Sequence, residues 1–227
     1  KILKYNFNIT YIIMCGIFAY FGNRIKFNIL KDNFDKIQNR GPDNSVIKMI
    51  DDSYFFGFHR LSINDISEKG NQPLYHPNGR NIILICNGEI YNHKQLTEEN
   101  DYKPSSDSDC EVILHLYEEY GIEETIKKLD GVFSFVLYDG KLNKVFAARD
   151  PFGVSPLFIG KTSFSGNKGC SLEELDILFS SEAKSLTDIA DEIIPFKPGT
   201  YWASDTHDFT PHYLYSYPNP RYNNLEY

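Results

Sequence analysis

Apolar positions along this chain fall into runs of two kinds. From Cys15 to Phe21, "CGIFAYF", nearly every residue is β-branched, aromatic or small, and "GN" follows; this is the pattern of a buried strand ended by a turn. "FNILKDNFDKIQN" then places Phe27, Leu30, Phe34 and Ile37 at helical spacing, and the Gly and Pro of "RGPD" stop it. "SVIKMI", "YFFGFHRLSI" and "NIILICNGEIYN" read as three further strands, separated by "DD" and by the Gly, Asn and Pro of "EKGNQPLYHPNGR". A helix is expected over "SDCEVILHLYEEYG". Val112, Ile113, Leu116 and Tyr120 share a face there, Ser108 and Glu111 form a capping box, and Gly121 stands where a C-terminal glycine belongs. "IEETIKKLDG" repeats the helical pattern, with Lys127 and Lys128 placed to suit the macrodipole.

The second half is mainly strand: "VFSFVLYDGKLNKVFAARD" as a hairpin around Asp139 and Gly140, then "SPLFIG", "DILFSSE" and "PGTYWASD". "TSFSGNKGCSLEEL" reads as a polar insertion, with a short helix started by Ser171 and Glu174. After Tyr213 the composition shifts to Tyr, Asn and Pro, as in a linker or tail. Strands, one block of helices, then strands again give an α+β protein with antiparallel sheets. Runs such as "ILIC" and "VFSFV" are apolar on both faces, so the sheets are expected to be covered on both sides.

At 227 residues the chain is long enough to bury a real core. Its net charge of −8 and the lack of any Lys/Arg cluster point away from nucleic acid and from an anionic membrane surface. Cys15, Cys86, Cys110 and Cys170 show no C-x-x-C pair, which argues against zinc and against a disulfide framework and suits a reducing cytoplasm. No stretch approaches the roughly 20 apolar residues of a membrane span. Lys1 and Lys4 before "ITYIIMC" imitate a secretory or lipoprotein signal, but the apolar run is short and Met14 is not a small cleavage-site residue.

Chemistry enters at "MCG". A cysteine attacks as thiolate, and its ordinary pKa near 8.5 leaves it mostly protonated at neutral pH unless a base is adjacent. An N-terminal cysteine carries its own base, the α-amino group, so cleavage before Cys15 would activate it; otherwise Cys15 is a small buried hydrophobe. "NGEIYN" offers the Asn87 amide and the Gly88 N–H, the two donors an oxyanion hole needs, although an isolated "NG" also fits a hairpin turn. Arg60, at the end of an apolar strand, requires a carboxylate from an internal partner or from a ligand. Asp109 suits the first helical position after Ser108, and the same placement leaves it ionised and able to meet an ammonium. The six histidines show no metal-ligand spacing, and no metal site is expected.

Taken together, "MCGIFAYFG", "RGPD", "GFHRLSI", "QPL", "NGEIYNH", "SDCEVILHLY", "LDGVFSFVLYD", "RDPFGVSPL", "SSEAKSL" and "PFKPGTY" resemble, in order, the class II glutamine amidotransferase domain of glutamine-hydrolysing asparagine synthetases. The resemblance implies an N-terminal-nucleophile hydrolase fold, a four-layer αββα sandwich of two antiparallel sheets. It implies Cys15 as nucleophile, its freed amine as base, and Asn87 with Gly88 as oxyanion hole. Arg60 would bind the glutamine carboxylate, Asp109 and Glu89 its amino end, and the backbone at Leu61 and Ile63 would line the pocket. Glutamine is the implied substrate. The implied partner is an asparagine synthetase C-terminal domain, in cis or in trans; a homodimer is left open. No cofactor is expected here, ATP and magnesium belonging to the synthetase half, for which this chain shows no "SGGLDS"-like motif.

On this reading residues 1–14 are a leader, 15–212 the amidotransferase domain and 213–227 a tail. Asn39 stands where such domains commonly have His, and Ser155 where a basic residue usually follows "GV". An acylated Cys15 nitrogen would lack its base, and the alternative function is a catalytically silent glutamine-binding or regulatory domain.

Overall fold

Alternate residues of β1 (Gly16–Phe21) enter two different apolar clusters, and this alternation organises the molecule. Ile17, Ala19 and Phe21 join one cluster, whereas Phe18 and Tyr20 join another with α1 (Phe27–Asp35). A computed structural model of the chain describes residues 14–50, 53–62, 68–162 and 176–213. After α1 come β2 (Asn44–Ile50), β3 (Tyr54–Arg60), β4 (Leu74–Tyr75), β5 (Ile82–Ile90), α2 (His93–Glu99) and α3 (Val112–Lys128). β6 (Gly131–Asp139), β7 (Lys144–Arg149), β8 (Phe158–Thr162), β9 (Asp176–Ser180), β10 (Glu192–Pro195), β11 (Thr200–Ala203) and β12 (Phe209–Pro211) complete the order.

The strands form two six-stranded sheets, ordered β10-β8-β9-β1-β3-β2 and β12-β11-β7-β6-β5-β4, with every pairing antiparallel. Between them lies one shared layer: Ile17, Ala19, Phe56 and Phe58 from the first sheet meet Ile83, Ile85, Val136 and Trp202 from the second. The opposite face of the first sheet packs Phe18 and Phe55 on Leu30, Phe34 and Ile37, while that of the second packs Leu84, Phe133, Phe135 and Leu137 on Ile113, Leu116 and Ile126. The result is the αββα layering expected above. Each wholly buried Phe contributes about 1.5–3 kcal/mol of transfer free energy, and eleven phenylalanines are buried in these three layers.

Several expectations are corrected. Ser108 precedes α3 without a side-chain capping bond. Glu111 instead turns back to accept from the N–H and hydroxyl groups of Ser105 and Ser106, at 2.5–2.9 Å, so the carboxylate organises the incoming loop. Gly121, by contrast, stands where expected: at φ 73° and ψ 175° it leaves helical geometry, ends the first helical segment of α3 and separates it from the second, which runs on to Lys128. Asn87 and Gly88 lie inside β5 and not in a hairpin turn, because β5 continues to pair with β6 through Ile90↔Gly131. The short elements α2, β4, β10 and β12 were not foreseen. The helix at Ser171, the pocket backbone at Ile63, residues 1–13 of the leader and the tail beyond Tyr213 fall outside the described residues.

Candidate active site

Three strands leave the inter-sheet layer at the same edge, and each carries its polar residue in phase with the core. On β3, Arg60 follows Phe56 and Phe58 at period two; on β5, Asn87 and Glu89 follow Ile83 and Ile85; Cys15 precedes Ile17 and packs against the same cluster. The apolar layer therefore ends in a polar rim. There Cys15, Arg60, Leu61, Asn87, Gly88, Glu89 and Asp109 line one cavity of about 290 Å³, the small end of the range for ligand pockets. All the expected site residues except Ile63 are thus brought together. Glu89 is exposed at the mouth, whereas Arg60, Asn87 and Asp109 are buried.

Cys15 is held from several sides. Its Sγ lies 3.4 Å from the Leu61 N–H and 3.5 Å from the Leu61 carbonyl. Burial pushes the thiol above its ordinary pKa, while the Leu61 backbone contact and the nearby Arg60 guanidinium pull the other way. A thiol raised in this manner needs a local base to become a nucleophile at neutral pH. The "RGPD" turn serves this residue: Arg40 Nε donates to the Cys15 carbonyl at 3.0 Å while its Nη1 meets Glu182 at 3.3 Å. Gly41 is required, since a Cβ there would collide with the His59 carbonyl and lie 2.5 Å from Arg60 N.

The edge of β5 explains the Gly88 donor. Tyr91 N–H bonds to the Asp130 carbonyl and Asn81 O accepts from Gly140, so odd-numbered residues of this strand address β6. The N–H groups of Cys86, Gly88 and Ile90 consequently point the other way. β4 pairs only with Ile83 and Leu84, leaving this stretch of edge open. Gln72 closes it at one end, accepting from Cys86 N–H at 2.6 Å and donating to Cys86 O at 3.0 Å. Asp109 Oδ2 closes it at the other, accepting from Ile90 N–H at 2.6 Å. The Gly88 N–H lies between these two caps, on the edge that lines the cavity. No larger residue fits, because a Cβ at 88 would run into Val132 O and sit 2.6 Å from Phe133 Cα.

Arg60 Nη1 donates to Asn71 Oδ1 at 2.7 Å, and Asn71 is in turn fixed by Glu68 at 2.8 Å. A planar cation with its fork at the wall of a small cavity suits a carboxylate ligand. Two participants escaped sequence reasoning. Gln72 belongs to the "QPL" motif but carried no role, and Ser134 gave no signal because its importance comes only from pairing opposite Asn87. His59 stacks on Phe34 at 3.7 Å and bonds Ser45 and the Phe34 carbonyl, a core histidine whose burial lowers its pKa. Among the described residues no group of three or more His, Cys, Asp or Glu could hold a metal, and no helix is long and apolar enough to cross a membrane.

Residues 14–198 match the sequence profile described as a glutamine amidotransferase domain. The glutamine-hydrolysing asparagine synthetase 2 of Oryza sativa subsp. japonica is 39% identical over 198 residues, covering 85% of this chain and 31% of that protein. Glutamine-hydrolysing asparagine synthetase 1 of Saccharomyces cerevisiae is 40% identical over 210 residues, covering 88% of this chain and 34% of that protein. This chain thus spans about a third of the length of these curated relatives. A solved glutamine phosphoribosylpyrophosphate amidotransferase from B. subtilis superposes with a TM-score of 0.70 at 18% identity, over 88% of this chain and 50% of that one. That likeness is one of fold.

Proposed function

The chain belongs to the family of glutamine amidotransferase domains, and from that premise we propose that it hydrolyses the side-chain amide of glutamine at Cys15, as the ammonia-supplying half of an asparagine synthetase. The observation that carries this reading is the convergence of Cys15, Asn87, Gly88, Arg60 and Asp109 on one cavity at the polar end of the inter-sheet core. Freed of the residues before it, Cys15 gains an α-amino group with a pKa of roughly 8, which takes the thiol proton. The thiolate attacks the amide carbon of glutamine. The oxygen, now negative, is met by the Asn87 amide and the Gly88 N–H, and collapse of the tetrahedral intermediate breaks the C–N bond. The ammonium of Cys15 protonates the leaving nitrogen, ammonia departs, and water then cleaves the γ-glutamyl thioester to release glutamate.

Arg60 would pair with the substrate α-carboxylate, and Asp109 with Glu89 would face its α-ammonium. The carboxylate of Asp109 fits that role because its bond to Ile90 N–H, at 2.6 Å, fixes it at the cavity wall. The ammonia would pass to a synthetase half, in cis or in trans, that forms asparagine, as the relatives' names suggest; on our reading that half amidates aspartate with ATP and magnesium. A reducing cytoplasm suits a mechanism that rests on a free thiol, and Cys15, Cys86 and Cys110 are free.

Met14 lines the same cavity and its peptide bond acylates the Cys15 nitrogen. That observation favours a second reading, a silent glutamine-binding domain. The two separate on chain processed to begin at Cys15. On our reading it releases ammonia from glutamine, a glutamine-like electrophile adds one adduct, mapped by mass spectrometry to Cys15, and Cys15→Ala abolishes both. Glutamine binding without turnover by the processed chain would establish the silent reading instead.

A further inference from the structure

Behind the Asn87 amide lies a buried cluster of hydroxyls that the reaction as described does not use. Ser155 and Ser134 are wholly buried and Asn87 is 1% exposed. Ser155 Oγ lies 2.6 Å from the Asn87 main-chain carbonyl, 2.8 Å from Asn87 Nδ2 and 3.0 Å from Ser134 Oγ. A serine hydroxyl has one proton and two acceptor sites. The carbonyl can only accept, and its contact is the shortest of the three, so the Ser155 proton goes there. Ser155 Oγ is then an acceptor toward both remaining neighbours: Asn87 must present its NH2 rather than its C=O, and Ser134, whose Oγ lies nearer to Ser155 Oγ (3.0 Å) than to the carbonyls of Pro156 (3.3 Å) and Asn87 (3.5 Å), directs its proton there.

We propose that Ser155, backed by Ser134, is a positioning residue that locks the flip state of the Asn87 carboxamide for oxyanion stabilisation; this rests on the oxyanion role assigned to Asn87 above. One amide N–H is tied to Ser155. The second, about 120° away in the amide plane, is left for the cavity that Asn87 lines. The same lock leaves Asn87 Oδ1 buried without a hydrogen-bond partner among the described residues. An orphaned buried oxygen is costly. Rotating the amide would offer that oxygen to Ser155, but only if Ser155 gave up its bond to the strand carbonyl.

The loop around Ser155 is built to hold the hydroxyl still. Asp150 accepts from the N–H groups of Phe152, Val154 and Ser155 at 3.0–3.1 Å. Arg149 donates to the carbonyls of Ser155, Gly153 and Phe196 at 2.6–2.7 Å. Both main-chain groups of Ser155 are thereby fixed, and a side chain reaching Asn87 across 68 residues of sequence gains a defined position. The departure noted at this position, Ser where a basic residue is usual, is what makes such a lock available here.

A double-mutant cycle on chain processed to Cys15 tests the assignment. Ser155→Ala should lower kcat for glutamine hydrolysis by roughly 10-fold to 100-fold, less than the 10²–10³-fold typical of losing an oxyanion donor outright, with KM for glutamine within about twofold. In an Asn87→Ala background the same substitution should have no further effect on kcat. Ser134→Ala, which removes only the supporting donor, should give the same pattern at a few-fold loss and serves if Ser155→Ala does not fold. Equal losses in both backgrounds, or a Ser155→Ala enzyme with unchanged kcat, would overturn the proposal. An unchanged kcat in Asn87→Ala alone would instead reject the oxyanion role itself, and the proposal with it.

Discussion

Replacing Gly88 by alanine adds one methyl group at the most crowded point of the site. Its Cβ would overlap the Val132 carbonyl oxygen and stand 2.6 Å from Phe133 Cα and 3.0 Å from Phe133 Cβ. Ordinary carbon–oxygen contacts begin near 3.3 Å, so β5 must retreat from β6 by roughly 1 Å. The obstruction is backbone and cannot rotate away. Alanine gains about 0.5–1 kcal/mol over glycine in strand conformation, whereas overpacking of this kind costs about 1–3 kcal/mol; the steric term wins. A displacement of about 1 Å in a group that acts on the transition state can cost about 10²-fold in rate, or roughly 2.7 kcal/mol of barrier. Urea unfolding would read the first effect, and steady-state ammonia release by chain processed to Cys15 the second. A Gly88→Ala protein as stable as the parent and fully active would refute the reading of β5 as sterically pinned. Lost stability with unchanged kcat would refute the Gly88 N–H as a catalytic donor.

Other expectations can be checked in the same preparation. Arg60→Met should raise KM for glutamine by about 10-fold to 100-fold, the worth of a charge-assisted hydrogen bond, while a glutamine analogue without the α-carboxylate should bind both proteins alike. In chain whose Cys15 nitrogen is still acylated, alkylation of Cys15 should rise with pH only above the ordinary thiol value, because burial favours the neutral thiol; freeing the amine should move the rise to lower pH. Burial would raise the Glu111 carboxyl, but the nearby His115 ring, 3.6 Å away, and the bonds from Ser105 and Ser106 outweigh it and hold the group at about 2. With an unfolded value near 4.3, its stabilisation is complete above that pH and is lost as pH falls toward 2, on the order of 3 kcal/mol in all. Glu111→Gln should therefore flatten the decline in stability between pH 5 and 2, as measured by urea melts.

Much of this protein is legible along the chain because the cues are local. β-Branched and aromatic runs mark β1, β3, β5 and β6, the spacing of Phe27, Leu30 and Phe34 marks α1, and the ordered motifs mark which side chains bear chemistry. Strands of two to four residues, such as β4, β10 and β12, are too short to show a period and exist because a longer neighbour offers an edge. Glu111 carried the signature of a capping box, yet the serines of the preceding loop competed for its carboxylate and won. Which donor Gly88 presents depends on the hydrogen-bonding parity of β5 against β6, and the state of the Asn87 amide depends on a serine 68 residues away. Propensity and motif act between neighbours in sequence, so the chain alone determined its elements and its candidate groups. Register, facing and proton direction arise where distant segments meet across a packed layer, and only the tertiary structure decided them.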